Sequence, residues 1–365
     1  MKNTFGQNIS VTLFGESHGE EIGAVIDGIA PGIRIDSDRI SDMLERRRPS
    51  GRLSTARCEN DEFRIVSGVF EGYTTGTPLC IVIPNTDTRS KDYERLKALP
   101  RPSHADYTAF VKYRGFADYR GGGHFSGRLT APLVAAGAIV ISALEKKGIR
   151  IGTHIASLGG IKDDPFDPIT PAIDAIGKDF PVISPQKGVE MRGAILDAAR
   201  EGDSVGGVLE TAVLGVPAGV GEPWFDTVEG LLAHAMFSIP AVKGFEFGSG
   251  FGIAELRGSR ANDAFRMDGG RVVTVTNHSG GVNGGITNGM PLIFRTAIKP
   301  TPSIYKEQAT VDMLNGTEEK LLIEGRHDPA IIHRAAVVVD SMTALTLADM
   351  LTGRFGTDWL SDQHG

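Results

Sequence analysis

The chain has little cysteine, no basic excess and no long apolar run, and each shortage removes a class of protein. Two cysteines occur in 365 residues. Cys58 and Cys80 stand too far apart for a CxxC metal or redox motif and are too few for a disulfide framework, so a reducing, intracellular compartment is expected. Arginine and lysine number 38 against 45 acidic residues, a net charge of −7, which argues against nucleic acid as the partner. The most apolar run, residues 131–144, is shorter than the ~18 residues of a membrane span and ends in Glu-Lys-Lys-Gly, as a buried core helix would. MKNTFGQNIS has no apolar stretch behind its lysine, so no secretory leader is expected. Zinc-spaced Cys/His clusters, a GxSxG elbow, GxGxxG and GxxxxGK[ST] are all missing. What these absences leave is a cytoplasmic protein that engages neither membrane nor nucleic acid.

Glycine is abundant instead, at 47 residues without a repeat period, which points to tight turns and close backbone approaches. Short β-branched or alternating runs bounded by Gly, Pro or Asn read as strands: NISVTLFG, IGAVIDG, FRIVSGVF, PLCIVIPN, RIGTHIASLG, GGVLETAVLG, RVVTVTN and MPLIFRTAIKP. Helical patterns cover 37–48, 105–113, 129–147, 186–200, 226–238 and 334–353. Because helices and strands do not alternate one for one, the expected class is α+β with antiparallel sheets. No linker divides the chain, so residues 1–365 read as one domain.

Chemistry-bearing residues gather in a few stretches. RGGGHFSGR, residues 120–128, runs into a helix whose first turn holds Pro132, so free N–H groups and a positive dipole end face an anion there. His124, Ser126 and Arg128 can hydrogen-bond such a ligand; the plainer alternative is a turn in which Ser126 caps the helix. LERRRPSGRLSTAR sets Arg46, Arg47, Arg48, Arg52 and Arg57 about a helix end that Pro49 terminates, a fan suited to carboxylate or phosphate or else a solvated basic terminus. FGESHGE holds Ser17 and His18 in a turn after a strand, and RPSHADY sets His104 before a helix; each imidazole is a candidate acid or base, or a turn histidine bonded to backbone. EGRHDPAIIHRAA offers Arg326, His327 and Asp328, the last either chemical or a helix cap. KPTPS is a rigid turn with one lysine and two hydroxyls. Chemistry alone indicates an enzyme acting on a small polyanion, with a phosphate-bearing cofactor as a second candidate ligand.

Several ordered motifs over nearly the whole length resemble the chorismate synthase family: FGESHGEEIGAVIDGIAPG, LERRRPSGR, SGVFEGYTTGTPL, NTDTRSKDY, RPSHADY, DYRGGGHFSGR, SGGVNGGITNGMPL, KPTPSI and GRHDP. The resemblance implies a helical layer sandwiched between antiparallel sheets, a homotetramer, and anti-1,4 elimination of phosphate from 5-enolpyruvylshikimate 3-phosphate with reduced FMN. It implies flavin contacts at His124, Phe125, Ser126, Pro240, Ala241, Gly284, Lys299, Pro300, Thr301, Pro302, Ser303 and Arg326, with the glycines of 121–123 letting the flavin lie against the backbone. Substrate contacts are implied at Arg47, Arg52, Ser126 and Arg128. His104 would protonate the flavin, His18 act as acid beside the departing phosphate, and Asp328 relay a proton. Three departures stand out: His124, Phe125, Gly127 and Leu129 replace a family stretch nearer GGGRSSAR and an acid, the loop after Arg48 is one residue short, and Ser103 occupies a place where glycine is common. A nicotinamide-linked flavin reductase and a non-catalytic anion-binding module are the rival readings.

Overall fold

The computed structural model describes residues 2–49, 53–54, 60–86, 97–323 and 327–361. Its frame is two five-stranded sheets, antiparallel throughout, with helices between them. The first sheet takes β1 (Thr4–Phe5), β2 (Ser10–Gly15), β3 (Glu21–Asp27), β4 (Arg64–Ser67) and β5 (Leu79–Pro84) in the order β1-β2-β3-β5-β4. The second takes β6 (Arg150–Leu158), β7 (Ile161–Lys162), β8 (Gly207–Leu214), β9 (Val242–Phe247) and β10 (Leu292–Ile298) in the order β9-β10-β8-β6-β7. The helices are α1 (Ser37–Arg47), α2 (Asp106–Lys112), α3 (Thr130–Lys146), α4 (Pro185–Arg200), α5 (Val228–Ser238), the single turn α6 (Gly258–Ala261) and α7 (Ile332–Phe355).

Alternation decides which face of each strand meets the helices. Ile22, Ala24 and Ile26 of β3 pair with Ile83, Ile81 and Leu79 of β5, and all six are fully buried, each isoleucine or leucine contributing about 1.5–3 kcal/mol by leaving water. α3 packs on β3 and β5 on one side and on β6 on the other, and α7 lies against α3, β6 and β8. This is the α+β layering that the resemblance implies.

α3, counted with the 3-10 turn that precedes it, and α7 are the two described helices long and apolar enough to cross a membrane, and both lie mostly inside the protein. α3 is longer than its unbroken apolar run suggests, because a short 3-10 turn at 127–129 feeds it. Three buried hydroxyls on α7 are satisfied within the helix: Ser341, Thr343 and Thr346 donate to the carbonyls of Val337, Val339 and Met342 one turn back. Asp349 accepts the backbone N–H groups of Gln7, Asn8 and Ile9 at 3.0, 2.6 and 3.0 Å, tying the start of the first sheet to α7.

At the amino end of α1 the Asp36 side chain accepts from the Arg39 N–H. At its other end Arg48 turns extended before Pro49, so Arg47 is the last helical residue. Several strands escape the sequence pattern, among them edge strand β9, whose residues are mostly half-exposed, and a hairpin of Gln308–Asp312 with Thr317–Leu321. RVVTVTN joins neither large sheet; Arg271–Thr274 pairs with Phe265–Asp268 in a hairpin of its own.

Candidate active site

The stretch 120–128 is a left-handed glycine turn. Gly121, Gly122 and Gly123 have φ of 58°, 83° and 53°, a region that costs a residue with a Cβ roughly 1–2 kcal/mol. Space is as limiting as conformation. A Cβ on Gly121 would sit 2.2 Å from Cε1 and 2.4 Å from Nδ1 of His18, and one on Gly123 would sit 2.0 Å from the Asp118 carbonyl oxygen. On the next residue along, a Cβ at Gly122 would lie 3.2 Å from Cε1 of His104. Consecutive glycines therefore seat the two histidines that the sequence marks as acid or base. What presses closest on this backbone is the protein's own imidazole and carbonyl.

His18 lies in the turn after β2, which the loop holds in place: the Ser17 N–H donates to the Gly123 carbonyl at 3.1 Å, and the hydroxyl of buried Ser17 is 3.2 Å from His18 Nδ1. His124 faces the same strand end, its Nδ1–H donating to the Gly15 carbonyl at 2.9 Å. Phe125 rests edge-on against Tyr113. The Ser126 hydroxyl accepts from the Arg128 N–H at 3.3 Å, the capping role.

His104 is built into a charged group. Its Nδ1 lies 2.6 Å from Oδ1 of Asp106, whose carboxylate also takes the Arg101 backbone N–H, Nε and Nη2. Arg101 Nη2 also lies 3.0 Å from Nδ1 but spends an N–H on Asp106 Oδ1 at 2.8 Å; because the carboxylate contact is the shorter and a carboxylate only accepts, Nδ1 carries the proton and Nε2 is left for chemistry. Burial, with Arg101 and Lys299 nearby, pulls the His104 pKa below the ordinary histidine value against the raising effect of Asp106. The Asp106 carboxyl, although burial opposes it, is held far below the usual range by Arg101 and His104. Ser103 has φ of 59°, a conformation glycine adopts without strain.

The 299–303 turn joins this group from the end of β10. Lys299 Nζ donates to the Ser103 carbonyl, and its N–H donates to the carbonyl of Ala241, itself left-handed at φ 75° after Pro240. Burial and the nearby Lys243 ammonium pull Lys299 below the ordinary lysine range. Between Pro300 and Pro302, the Thr301 carbonyl accepts from Ser204 Oγ, while Thr301 Oγ1 is buried with no partner among the described residues. Ser303 is buried.

The arginines converge from three elements. Arg47 at the end of α1 and Arg128 after the glycine loop both donate to the carboxylate of Asp61, Arg47 Nη2 at 2.7 Å. Arg128 also donates through Nε to Asn85 Oδ1 at 2.9 Å and through Nη2 to the Pro84 carbonyl at 3.1 Å. Arg334 of α7 links Asp328 to this group: Nη1 donates to Asp328 Oδ2 and Nε to the Arg47 carbonyl, both at 2.8 Å. Among the described residues no hydrogen bond joins Gly284 to any of these groups; it sits at the tip of a hairpin tied to α5 through Val228 and Gly285. Arg52 and Arg326 lie outside the described residues.

A family model described as chorismate synthase matches residues 9–352. The chain belongs to the chorismate synthase family. It is 48% identical to the chorismate synthase of Thermococcus gammatolerans, covering 96% of this chain and 97% of that one. Identity to the enzyme of Dehalococcoides mccartyi is 47%, covering 96% of each chain. A solved crystal structure of chorismate synthase superposes with a TM-score of 0.77 at 29% identity, over 97% of this chain and 94% of that one. An enzyme of the chorismate synthase family acting on a small molecule is thus the setting for the geometry above.

Asp61, Asn85, Arg101, Asp106 and Arg334 were not singled out from the sequence. Arg101 and Asp106 stand within reach of His104 in RPSHADY, and Arg334 follows the GRHDP motif. Asp61 has only an indirect signal: a buried arginine pair in an acidic chain requires a counter-charge.

Proposed function

We propose that this chain eliminates phosphate from 5-enolpyruvylshikimate 3-phosphate in the anti-1,4 sense to give chorismate, as a carbon–oxygen lyase dependent on reduced FMN. The observation that carries the reading is that one stretch, 120–128, touches His18 through Gly121, His104 through Gly122 and the arginine group through Arg128. In the reaction the ring C–O bond to phosphate and a ring C–H bond break and a second ring double bond forms. Arg47 and Arg128 neutralise the substrate's carboxylates and phosphate, lowering the cost of the departing charge. His18 holds a proton for the leaving phosphate. His104, its Nδ1–H fixed by Asp106, exchanges a proton at Nε2, and Asp328, oriented by Arg334, relays a second proton.

The residues fit a flavin mononucleotide. Two lysines near enough to affect one another, Lys243 and Lys299, suit a phosphate, and the orphaned Thr301 hydroxyl suits a polyhydroxylated chain. Lys299, Pro300, Thr301, Pro302 and Ser303 would hold the group with Pro240, Ala241, His124, Phe125 and Ser126, joined by Gly284 and Arg326. When bound, reduced FMN supplies the reversible electron chemistry that the elimination requires. The core that runs without a break between both sheets supports treating residues 1–365 as one domain. A cytoplasmic homotetramer completes the reading.

The test is anaerobic incubation of the purified protein with 5-enolpyruvylshikimate 3-phosphate and chemically reduced FMN. Chorismate and phosphate are expected in equal amounts, and neither without the reduced flavin. Folded protein that releases no phosphate under these conditions overturns the proposal.

A further inference from the structure

We infer that Asp61 is a positioning residue for the substrate anion, its carboxylate holding Arg47 and Arg128 side by side as one binding pair. The inference rests on the proposed function and adds a residue to it. The Asp61 side chain is 0% exposed, and those of Arg47 and Arg128 are 6% and 3% exposed. Two guanidinium groups with so little water repel one another strongly; burial, with Arg334 and Arg128 nearby, pulls the Arg47 guanidinium below the ordinary arginine range against the raising effect of Asp61. Asp61 lies between them, one carboxylate oxygen to each.

The consequences for the two arginines differ. Arg128 has its fork fixed by three acceptors, Asn85, the Pro84 carbonyl and Asp61. The Arg47 guanidinium is fixed through Nη2 on Asp61, while its buried Nε has no partner among the described residues. That donor is unspent, and its direction is set by Asp61. Asp61 is itself held at φ 50°, a conformation uncommon for a residue with a side chain, as befits a position that the ion pairs determine.

A simpler electrostatic account predicts the opposite behaviour. Arg47, Arg128 and Arg334 face Asp61 and Asp328 in this group. Removing one negative charge should then tighten binding of a polyanion, as it would if Asp61 only stood in for a substrate carboxylate. If Asp61 sets the geometry, the same change weakens binding despite the gain in positive charge.

The experiment is calorimetric binding of 5-enolpyruvylshikimate 3-phosphate to wild type and to Asp61→Asn without reductant, with thermal denaturation of both. Affinity at least about tenfold weaker, with the variant folded at the assay temperature, is expected. Unchanged or tighter binding by the variant, with normal wild-type binding, overturns the inference alone. A folded wild type that binds none of the compound overturns the underlying reading and the inference with it. Should Asp61→Asn fail to fold, Asp61→Glu, which keeps the charge but moves it, takes its place: weaker binding by at least about threefold supports positioning, and unchanged binding overturns it.

Discussion

His104 meets a carboxylate at Nδ1 and a glycine backbone beside its ring, so its tautomer and its freedom to move are both decided by neighbours close in sequence. Its pKa is lowered chiefly by burial, and Asp106 works against that. The protonated imidazole is therefore lost as pH rises through a value below the ordinary 6.5. Where His104 acts as an acid, activity declines over that range. Asp106→Asn removes the raising influence, so the declining limb of kcat/KM should move to lower pH and the maximum should fall, about 10²-fold or more if the tautomer is also lost. A limb that stays in place or moves upward would take His104 out of the acid role. At this scale the histidines were legible because each stands in a turn among glycine, serine and proline. Their partners were not, because a lone Arg in a polar loop has no periodicity to distinguish it, and an Asp that opens a helix, as Asp106 does, reads as an ordinary first-turn acid.

The six longer helices were legible as elements, their limits falling within two residues of the pattern, because proline, serine, threonine or aspartate stand at or near their starts and lysine, arginine, glycine or, for α5, Pro240 mark their ends. The burial of α7 on all sides was less legible, since its core-facing threonines, serine and aspartates interrupt the apolar run. One of them titrates. Asp340 is fully enclosed, with Arg46 3.8 Å away and Oδ1 unpartnered among the described residues, and burial raises its carboxyl to about 6. The folded state thus binds more protons here than the unfolded chain between pH 3.8 and about 6, so this residue's contribution to stability falls as pH rises across that window and is flat above it. Asp340→Asn should match wild type near pH 4 and exceed it at pH 8, by up to about 3 kcal/mol. Urea denaturation at the two pH values decides the matter, and a variant less stable than wild type at pH 8 would show that the charge is compensated.

Across the whole molecule the candidate site draws on the turn after β2, the end of α1, the loop before α2, the glycine stretch before α3, the turn after β10 and the start of α7. Antiparallel pairing of the sheets could be anticipated because helices and strands do not alternate one for one along the chain. Which loops meet at one end could not, since this depends on sheet order and on contacts such as Lys299 with Ser103 that link residues far apart in the chain. The glycine stretch adjoins His18, His104 and, through Arg128, the Asp61 ion pairs, and its seating of His18 is the account's central claim. The most direct test is the turnover of Gly121→Ala with saturating substrate and reduced FMN, alongside its circular dichroism. The added methyl would need the space 2.2 Å from His18 Cε1, so a folded variant is expected to lose about 10²-fold or more in kcat. A folded variant with kcat within about twofold of wild type would contradict the claim that this glycine seats a catalytic histidine.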